Sequence, residues 1–428
     1  MLLVEVDRSE NLRKLGDDMD KNNPHDSAQG SRRKFLMTSG AIGMGAALSG
    51  ISPAVLAQSK APLKIGVLNS FSKVFAALGE GNLRGMNLYF EQIGGKIAGR
   101  QIQVIREDDE VSPQVGLEKI KKLVESDKCD IITGIQASNV AMALVPYIRQ
   151  SKTFTVLSGA GVSDLSYIHV PYFFRSSVST IPLHQGMGTW LYDSGIKEVV
   201  CTASDFSGGR NTILEFKSGF VKMRGGKVIK EIYPPLGNND FSAYLADIKS
   251  IAPRATFSFY AGTDAVRFVK QYDEYGLKKT CEMTASGFMV ESDTLPAQDA
   301  SALGAISSLH YADTLDNAAN KKFVADYFSK YKKFPSVYCE YGYVAAQVMH
   351  RAIEACDGNT QDKDKLRTAM LQLKLELPRG PFRFNPVTQS PIQNVYIRKV
   401  VEIDGRFTNQ AIQTIPNAVE PETKPDFS

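Results

Sequence analysis

The chain has 428 residues, with 50 lysines and arginines against 46 aspartates and glutamates and a formal net charge of +4. That length exceeds what one compact core normally holds, so two or at most three lobes are predicted. The small basic excess is spread along the chain without a basic stripe interleaved with aromatics, which argues against nucleic acid as a partner.

An export signal is predicted near the N-terminus. Arg32 and Arg33 form a twin-arginine pair, and no charged residue lies between Phe35 and Ser59. Val55 and Ala57 have the small side chains that a signal peptidase accepts just before its cleavage site. A twin-arginine signal directs a protein across a bacterial inner membrane, so the twin-arginine translocase is a predicted partner during export.

Residues 1–57 are therefore predicted to be an N-terminal tail and signal that is cleaved near Ala57, which leaves a periplasmic protein. The alternative is an uncleaved anchor, because the uncharged stretch reaches the ~20 apolar residues that span a bilayer. Residues such as Gly40, Gly43 and Ser49 dilute its apolar character and favour the cleaved signal. No later segment is apolar over a comparable length.

Strands and helices alternate in the first half of the remaining chain. Ser112-Pro113 begins one of the helices, since proline is tolerated at the first helical position. Strands separated by helices of this length are typical of right-handed βαβ units on a parallel sheet. The hydrophobic patterns predict strands at 63–68, 101–105, 130–134 and 154–157, and helices at 81–91, 113–124 and 140–148.

The same alternation restarts after Ile181. Short strands are expected around 394–401, and the Pro- and Glu-rich tail, residues 417–428, is predicted to be flexible. Two successive α/β sheets predict two Rossmann-like lobes with a cleft between them. The strands of this part are predicted at 198–202, 227–232, 256–260, 281–284 and 305–309, and the helices at 181–192, 210–223, 241–251, 263–275, 318–332 and 340–355.

Small polar residues and glycines follow the predicted strands, at the edge where open parallel sheets bind their ligands. Each of these turns precedes a helix, whose free N–H groups attract anions. Gly159 and Gly161 would let the backbone approach a bound group. The alternative for Ser138, Ser163 and Asp264 is that each only caps a helix. The turns are 69–72, 136–139, 158–163, 204–209, 261–264 and 286–288.

Catalytic and metal-binding motifs are missing from the sequence. It contains no P-loop, no His-Glu-x-x-His and no Gly-x-Ser-x-Gly, and the histidines show no paired metal spacing. His184 and His350 lie on predicted helices and are expected to be ordinary packing or surface residues. The chain is therefore predicted not to be an enzyme and to use no cofactor and no metal.

The cysteines do not indicate a disulfide framework, because their number is odd. Cys339 and Cys356 flank a predicted helix that would separate them by about 25 Å. A disulfide needs Cα atoms within about 7 Å, so this pair is excluded. Cys129, Cys201 and Cys281 lie at or in predicted strands and are expected to be small buried hydrophobes.

Several segments, taken in order and spacing, resemble a known family. They are 63–68 with 79–87, 134–138, 158–161, Phe174-Arg175-Ser176, 240–244 and Arg379-Gly380-Pro381-Phe382-Arg383-Phe384. From Lys64 to about Val400 the chain resembles the branched-chain-amino-acid type of periplasmic binding protein, the type I receptors of ABC importers. No single segment is diagnostic, but their combination is specific.

The resemblance implies two α/β lobes joined by three crossovers, which form a hinge and close on a ligand. A monomer that delivers a small-molecule ligand to a membrane-embedded ABC permease is expected. The crossovers are placed near 177–181, 307–312 and 388–392. Lobe 1 is predicted to comprise residues 62–178 and 310–388, and lobe 2 residues 179–309 and 389–416.

In the family, the turns that match Ser138 and Gly159 to Gly161 hold the ligand carboxylate through a hydroxyl and backbone N–H groups. The aromatic residue that matches Phe206 covers the ligand from the other lobe. The candidate ligand-binding residues are Phe75, Gln136, Ser138, Ser158, Gly159, Ala160, Gly161, Phe206, Thr263 and Phe288.

The sequence departs from the amino-acid binders of this family. They present an acidic residue near Gly287 or Phe288 to pair with the α-ammonium, and a tyrosine in the turn that matches Thr263. This chain has neither. Because an unpaired buried ammonium is costly, a carboxylate without an ammonium is predicted as ligand, with an aromatic acid as first choice.

Three alternatives remain open. Asp205 or Asp264 could still pair with an ammonium, so a branched-chain or other amino acid is the second candidate. An amide or urea is a further candidate within the same transporter class. A ligand-sensing module built on the same two-lobed scaffold is a third, since a fold does not determine function.

Overall fold

The computed structural model describes residues 60–427, so the predicted signal, residues 1–57, lies outside the described residues. The described chain begins with alternating strands and helices, as predicted. Ser112 caps the second helix through its side chain, which accepts a hydrogen bond from the Val115 N–H. These elements are β1 (Leu63–Asn69), α1 (Ala76–Gln92), β2 (Lys96–Ile97), β3 (Arg100–Asp108), α2 (Pro113–Lys121), β4 (Ile131–Gly134), α3 (Ser138–Ser151), β5 (Thr155–Leu157) and β6 (Phe173–Arg175).

The alternation continues through the middle of the chain. Five-residue π-helical turns extend two helices of the structure, at Lys122–Ser126 after α2 and at Ser218–Lys222 after the helix that begins at Ser207. The middle elements are α4 (Thr180–Asp193), β7 (Glu198–Ala203), α5 (Ser207–Lys217), β8 (Lys227–Ile232), α6 (Ser242–Ile251), β9 (Ala255–Phe259), α7 (Thr263–Glu274), β10 (Glu282–Ser286), α8 (Leu295–Gln298) and β11 (Ile306–Leu309).

The last part of the chain contains three helices and four strands. Short 3-10 turns occur between the elements, among them Lys73–Phe75 before α1 and Ser163–Ser166 before β6. No helix among the described residues combines the length and the apolar character needed to cross a membrane. The last elements are α9 (Ala318–Tyr331), α10 (Val337–Glu354), α11 (Lys363–Gln372), β12 (Lys374–Leu377), β13 (Gly380–Phe384), β14 (Pro391–Ile403) and β15 (Arg406–Ala418).

The strands form two sheets, which confirms the predicted fold class of two α/β lobes. The first sheet has the order β2-β3-β1-β4-β5-β6, and the second has the order β12-β13-β14-β11-β10-β9-β7-β8, with β15 paired to β14. Strands β1, β3, β4, β5 and β6 are parallel, as are β7 to β11. We call the parts of the molecule built on these sheets the first lobe and the second lobe.

The chain passes from the first lobe to the second at residues 176–179, between β6 and α4, and back at residues 310–317, between β11 and α9. It returns to the second sheet at β12, directly after α11. Residues 385–390 connect β13 to β14 within that sheet and also contact the first lobe, because the Gln389 carbonyl accepts the Arg175 N–H at 3.0 Å. On the second passage, α10 returns to pack against α1 of the first lobe. Gly85 of α1 lies so close to the Cys339 carbonyl that a Cβ would overlap it, and Gly342 of α10 meets the Asn82 carbonyl in the same way.

The end of the chain differs from the prediction in two respects. Strands β14 and β15 have 13 residues each, instead of the short strands expected around 394–401. The hairpin β12–β13, which was assigned to the first-lobe segment 310–388, is hydrogen-bonded to β14 of the second sheet. Its Phe384 nevertheless packs against Phe174 of β6, with ring centroids 5.1 Å apart. The hairpin therefore joins the two lobes.

The segment 417–428, predicted to be a flexible tail, contacts the rest of the protein in the part that the structure describes. Asn417 and Ala418 complete β15, and the Glu420 side chain is fully buried in an ion pair with Arg175. The proline- and glutamate-rich composition suggested disorder because it offers little apolar surface. It gave no sign that a buried arginine from a distant strand needs a carboxylate as its partner.

All five cysteines are free. Cys201, Cys281, Cys339 and Cys356 are buried, and Cys129 is partly buried. The prediction that Cys339 and Cys356 do not pair is therefore confirmed. The strand cysteines behave as small hydrophobic residues.

Candidate functional site

A cavity lies between the two lobes, at the carboxyl ends of β4, β5, β7, β9 and β10. It contains about 500 Å³ of space free of protein atoms, counting the part that opens to solvent. Cavities between two domains are frequent binding sites for small molecules. The cavity is lined by Phe75, Leu78, Gln136, Ser138, Gly159, Gly161, Val162, Thr180, His184, Phe206, Gly208, Asn211, Thr212, Phe259, Ala261, Phe288 and Tyr338.

The structure brings most of the candidate residues together at this cavity. They meet because the carboxyl ends of neighbouring parallel strands lie at one edge of each sheet, and the two edges face each other. The candidates on the cavity wall are Phe75, Gln136, Ser138, Gly159, Gly161, Phe206 and Phe288.

Three candidates do not line the cavity. The Ser158 hydroxyl lies inside the first lobe, 3.3 Å from the Thr133 hydroxyl and 3.2 Å from the Asn82 side-chain nitrogen. Ala160 donates its N–H to the Ile135 carbonyl at 2.8 Å. Thr263 is the first residue of α7 and is exposed, and Ala261, two residues earlier, lies at the wall in its place.

One end of the cavity is polar and is formed by the beginnings of three helices. Ser138 is the first residue of α3, Thr180 is the first of α4, and Gly208 is the second of α5. The first N–H groups of a helix have no partner inside the helix, and the helix dipole makes this end positive. No acidic residue lies in the first turn of any of these three described helices. The Thr180 N–H at the start of α4 donates to the Glu420 carboxylate at 3.1 Å, so the starts of α3 and α5 make this end of the cavity suitable for a bound anion.

Glycines bring the backbone close to this polar end. A Cβ on Gly159 would overlap the Ile135 carbonyl, and one on Gly161 would lie 2.9 Å from the Thr180 methyl group. A Cβ on Gly208 would lie 3.1 Å from the Ser138 hydroxyl, across the cleft. Small residues are therefore required here, because the two lobes approach each other closely.

Another part of the cavity wall is a continuous chain of aromatic rings, which we call the aromatic arc: Phe75, Phe206, Phe259, Phe288 and Tyr338. Successive ring centroids are 6.1, 6.0, 6.0 and 6.2 Å apart. Phe75 and Tyr338 come from the first lobe, and the other three rings come from the second. Rings at these distances interact favourably and leave a largely apolar surface.

His184 is a cavity residue that the sequence analysis assigned to ordinary packing. Its Nδ1 lies 2.6 Å from Glu215 Oε2, and its Nε2 lies 2.9 Å from the Ser286 hydroxyl. The Thr180 hydroxyl oxygen lies 2.9 Å from Glu215, which also accepts a hydrogen bond from the Asn211 amide. The Glu215 carboxylate is therefore occupied by protein groups behind the cavity wall.

The acidic residues considered for an ammonium do not line the cavity. Asp205 forms an exposed ion pair with Arg210 at 2.6 Å. Asp264 is buried and accepts hydrogen bonds from the Gly237 N–H at 2.8 Å and from the Ser204 hydroxyl at 3.3 Å. Its burial raises the pKa of the Asp264 carboxyl. No acidic side chain of the described residues lies on the cavity wall.

The lobes touch each other around the cavity. The Ser163 hydroxyl of the first lobe donates a hydrogen bond to the Asn211 side-chain oxygen of the second, at 3.1 Å. Phe75 contacts Phe206 across the same cleft. This is a closed arrangement of two lobes around a small internal site. Among the residues that the structure describes, no group of His, Cys, Asp and Glu could hold a metal ion.

Several wall residues were missed by the sequence analysis. Thr180, His184, Asn211 and Thr212 lie in the first turns of α4 and α5, one or two turns beyond the strand ends that were searched. Tyr338 comes from α10, far along the chain. The four residues on α4 and α5 could have been predicted from the sequence. A helix that begins at the cleft directs its first turns toward the same cavity as the strand end that precedes it.

A cleft of this kind between two α/β lobes defines a two-lobed solute-binding protein. Residues 62–406 match the periplasmic binding protein family, and the chain belongs to this family. A Leu/Ile/Val-binding protein homolog 6 from Brucella melitensis is 30% identical over 371 residues, which cover 85% of this chain and 94% of the relative. The resemblance to type I receptors of ABC transporters is thereby confirmed.

Solved structures of solute-binding proteins of ABC transporters also match this chain. A solute-binding protein of an ABC transporter from Rhodopseudomonas palustris BisB5, in complex with 3,4-dihydroxybenzoic acid, superposes with a TM-score of 0.81. It is 30% identical, and the match covers 84% of this chain and 99% of that one. Another, from R. palustris in complex with benzoate, has a TM-score of 0.79 and 30% identity, over 84% of this chain and 98% of that one.

Proposed function

We propose that this protein is the periplasmic receptor of an ABC importer for a small aromatic carboxylate of the benzoate class. The observation that carries the proposal is the composition of the cavity wall, which joins the aromatic arc to a polar end without any acidic side chain. An aromatic carboxylate has the same two parts, a flat apolar ring and an anion. The protein binds this ligand by hinge closure, works as a monomer and delivers the ligand to a membrane permease.

The polar end would hold the carboxylate. The Ser138 hydroxyl and the N–H groups that begin α3 and α5 are donors, and hydrogen bonds to a charged acceptor are stronger than those to a neutral one. The backbone at Gly159 and Gly161 can approach the ligand closely because no side chain intervenes. The negative charge is therefore held by dipoles rather than by a buried cation.

The aromatic arc would hold the ring. Phe206 from the second lobe and Phe75 from the first meet over the cleft, so that both lobes contribute to the apolar walls. Offset or edge-to-face contacts with the ligand ring add to the gain from removing apolar surface from water. A closed site also excludes water, which strengthens the hydrogen bonds to the carboxylate.

The two solved R. palustris structures support the aromatic ligand, since they are complexes with benzoate and with 3,4-dihydroxybenzoic acid. An α-amino acid carries an additional ammonium, and this group would need an acceptor on the cavity wall. Asp205, Asp264 and Glu215 are bound to other protein groups. Burying an unpaired ammonium is unfavourable, so amino acids should bind more weakly.

A branched-chain or other amino acid is the second candidate, favoured by two observations. The Brucella relative is a Leu/Ile/Val-binding protein homolog. In addition, the Gln136 side-chain oxygen at the cavity is buried and has no hydrogen-bond partner among the described residues. This oxygen could accept a hydrogen bond from an ammonium, although an amide is a weaker partner for a cation than a carboxylate.

We also propose that the protein is exported to the periplasm. The twin-arginine pair at Arg32 and Arg33, with the uncharged stretch after it, is consistent with transport by the twin-arginine translocase and cleavage near Ala57. Membership of the periplasmic binding protein family supports the same location. N-terminal sequencing of the protein recovered from a periplasmic extract tests this part, with Gln58 expected as the first residue.

Isothermal titration calorimetry of the purified protein tests the ligand class. Benzoate, 4-hydroxybenzoate, benzamide and leucine form a matched set, because benzamide keeps the ring and removes the charge. We expect one of the acids to bind at least about 100-fold more tightly than benzamide and leucine, since the loss of charged hydrogen bonds is costly. Leucine binding more tightly than every acid would overturn the proposal in favour of the second candidate.

A further inference from the structure

The segment that follows β15, residues 419–427, crosses from the second lobe to the first and is here called the C-terminal strap. Its central contact is made by Glu420, whose side chain is 0% exposed. One carboxylate oxygen of Glu420 lies 2.6 Å from Arg175 Nη2. The other accepts the N–H of Thr180 at 3.1 Å. Arg175 belongs to β6 of the first lobe and Thr180 to α4 of the second, so Glu420 bridges the first passage between the lobes.

The two partners of Glu420 also hold the cavity wall. Arg175 Nη1 donates hydrogen bonds to the carbonyls of Gly161, at 3.2 Å, and Val162, at 3.0 Å. The Thr180 hydroxyl donates to the same Gly161 carbonyl at 2.6 Å. Gly161, Val162 and Thr180 line the cavity. Glu420 therefore contacts the wall residue Thr180 directly, and only Arg175 lies between Glu420 and the wall residues Gly161 and Val162.

The outer part of the strap also binds both lobes. The Tyr167 hydroxyl of the first lobe donates to the Pro421 carbonyl at 2.9 Å, and Lys424 pairs with Asp164 at 2.7 Å. From the second lobe, the Lys222 ammonium donates to the Asp426 carbonyl at 3.0 Å. A rotation of the lobes about the hinge has to lengthen some of these contacts, because the strap is a short chain attached on both sides.

We propose that the C-terminal strap is a latch for the closed state, and that Glu420 is a positioning residue of the ligand site. Glu420 holds Arg175 and Thr180, and these two residues hold Gly161 at the polar end of the cavity. Opening would break an ion pair that is shielded from water, where charged hydrogen bonds are strong. The latch stabilises the closed form and so slows the release of the ligand. The identity of the ligand in this proposal rests on the proposed function, whereas the action of the latch does not depend on which ligand binds.

The latch is tested with Glu420→Gln, which keeps the size of the side chain and removes its charge. The matched control is Glu422→Gln, two residues further on, where the side chain is exposed. Stopped-flow measurements with the aromatic acid that binds in the titration give association and dissociation rates separately. We expect dissociation from the Glu420→Gln variant to be about tenfold faster or more, with little change in association. The Glu422→Gln control should have the same association and dissociation rates as the parent protein.

A second measurement makes the outcome independent of the ligand. Spin labels at Lys121→Cys on α2 and Lys249→Cys on α6, both exposed, report the distance between the lobes. In the ligand-free Glu420→Gln variant the distance distribution should shift to longer values than in the labelled parent. If no aromatic acid binds the parent protein, the proposed ligand class is wrong, but the distance between the lobes still tests the latch. The latch proposal is overturned if the Glu420→Gln variant has the same lobe distances as the parent protein. It is also overturned if an acid binds and dissociates from both proteins at the same rate.

A further variant covers the case in which Glu420→Gln does not fold. Tyr167→Phe combined with Lys424→Gln removes two outer contacts of the strap and leaves the buried ion pair intact. About a threefold faster dissociation and a smaller increase in lobe distance are expected, since exposed ion pairs and single hydrogen bonds contribute little. If the strap only stabilises the fold, the variant will lower the melting temperature and leave both readouts unchanged.

Discussion

A Cβ atom on Gly262 would overlap the carbonyl oxygen of Val74, although the two residues belong to different lobes. Gly262 precedes α7 in the second lobe and has a φ of +59°, and Val74 lies in the turn before α1 in the first. Only glycine allows both this backbone conformation and this approach. The lobes therefore close to a separation that a single methyl group would prevent.

The first prediction concerns this contact. Gly262→Ala should hold the lobes apart and weaken ligand binding by about tenfold or more, because the closed state is no longer accessible without strain. Gly276→Ala is the control, since Gly276 also has a positive φ, +73°, but a Cβ there would meet nothing within 4 Å. Both variants should lose some stability. Small-angle scattering with and without ligand checks the closure, and equal compaction of the two variants would contradict the prediction.

The second prediction concerns the polar end. Ser138→Ala removes a hydroxyl that would donate to the ligand carboxylate, at a cost of about 1.5–3 kcal/mol, or about 10- to 150-fold in affinity. Ser250→Ala, at an exposed position of α6, is the control. Calorimetry with the aromatic acid gives both affinities. An effect of less than threefold for Ser138→Ala would mean that the carboxylate binds elsewhere.

The third prediction concerns the aromatic arc. Phe206→Ala removes the ring that contacts both Phe75 and Phe259, and it should lower affinity for aromatic acids by about tenfold or more. The control is Phe328→Ala, because Phe328 is 42% exposed on α9. The same titration serves as the measurement. Equal losses for benzoate and for a small aliphatic acid such as acetate would show that the ring contact is not specific.

The fourth prediction concerns the cysteines. Burial raises the pKa of Cys129 to about 12 and also raises the pKa of the Cys201, Cys281, Cys339 and Cys356 thiols. Because the thiolate is the reactive form, the native protein should react slowly with a thiol reagent such as Ellman's reagent. After unfolding in guanidinium, all 5 thiols should react. Fast reaction of the native protein, or fewer thiols after unfolding, would be the contrary result.

Much of the fold followed from local patterns. Short apolar runs, helical spacing of apolar residues and helix-starting residues such as Ser112 predicted most strands and helices of both lobes. Ser138 and Phe206 could be placed at the cleft because parallel strands direct their carboxyl ends to one edge. This reasoning works wherever the functional position is next to a strand end.

The remaining errors have physical causes. Thr263 was chosen because its turn matches the one that carries a tyrosine in the amino-acid binders, whereas Ala261 of the same turn lies at the wall. His184 was assigned to packing or the surface because the histidines show no paired metal spacing, and its partners Glu215 and Ser286 are distant in sequence. Glu420 was assigned to a flexible tail because of the Pro- and Glu-rich composition, and its partner Arg175 is also distant in sequence. Contacts between charged groups far apart in the chain leave no local pattern.

The aromatic arc has two seams, at Phe75–Phe206 and at Phe288–Tyr338, because its rings come from both lobes. If the lobes separate, the rings at both seams move apart and expose to solvent the apolar faces that are buried in the closed form. Ligand capture should therefore be accompanied by a negative change in heat capacity, the thermodynamic mark of apolar surface leaving water. The enthalpy of ligand capture would then become more favourable as the temperature rises, because closure of the lobes buries ring surface of the aromatic arc at both seams.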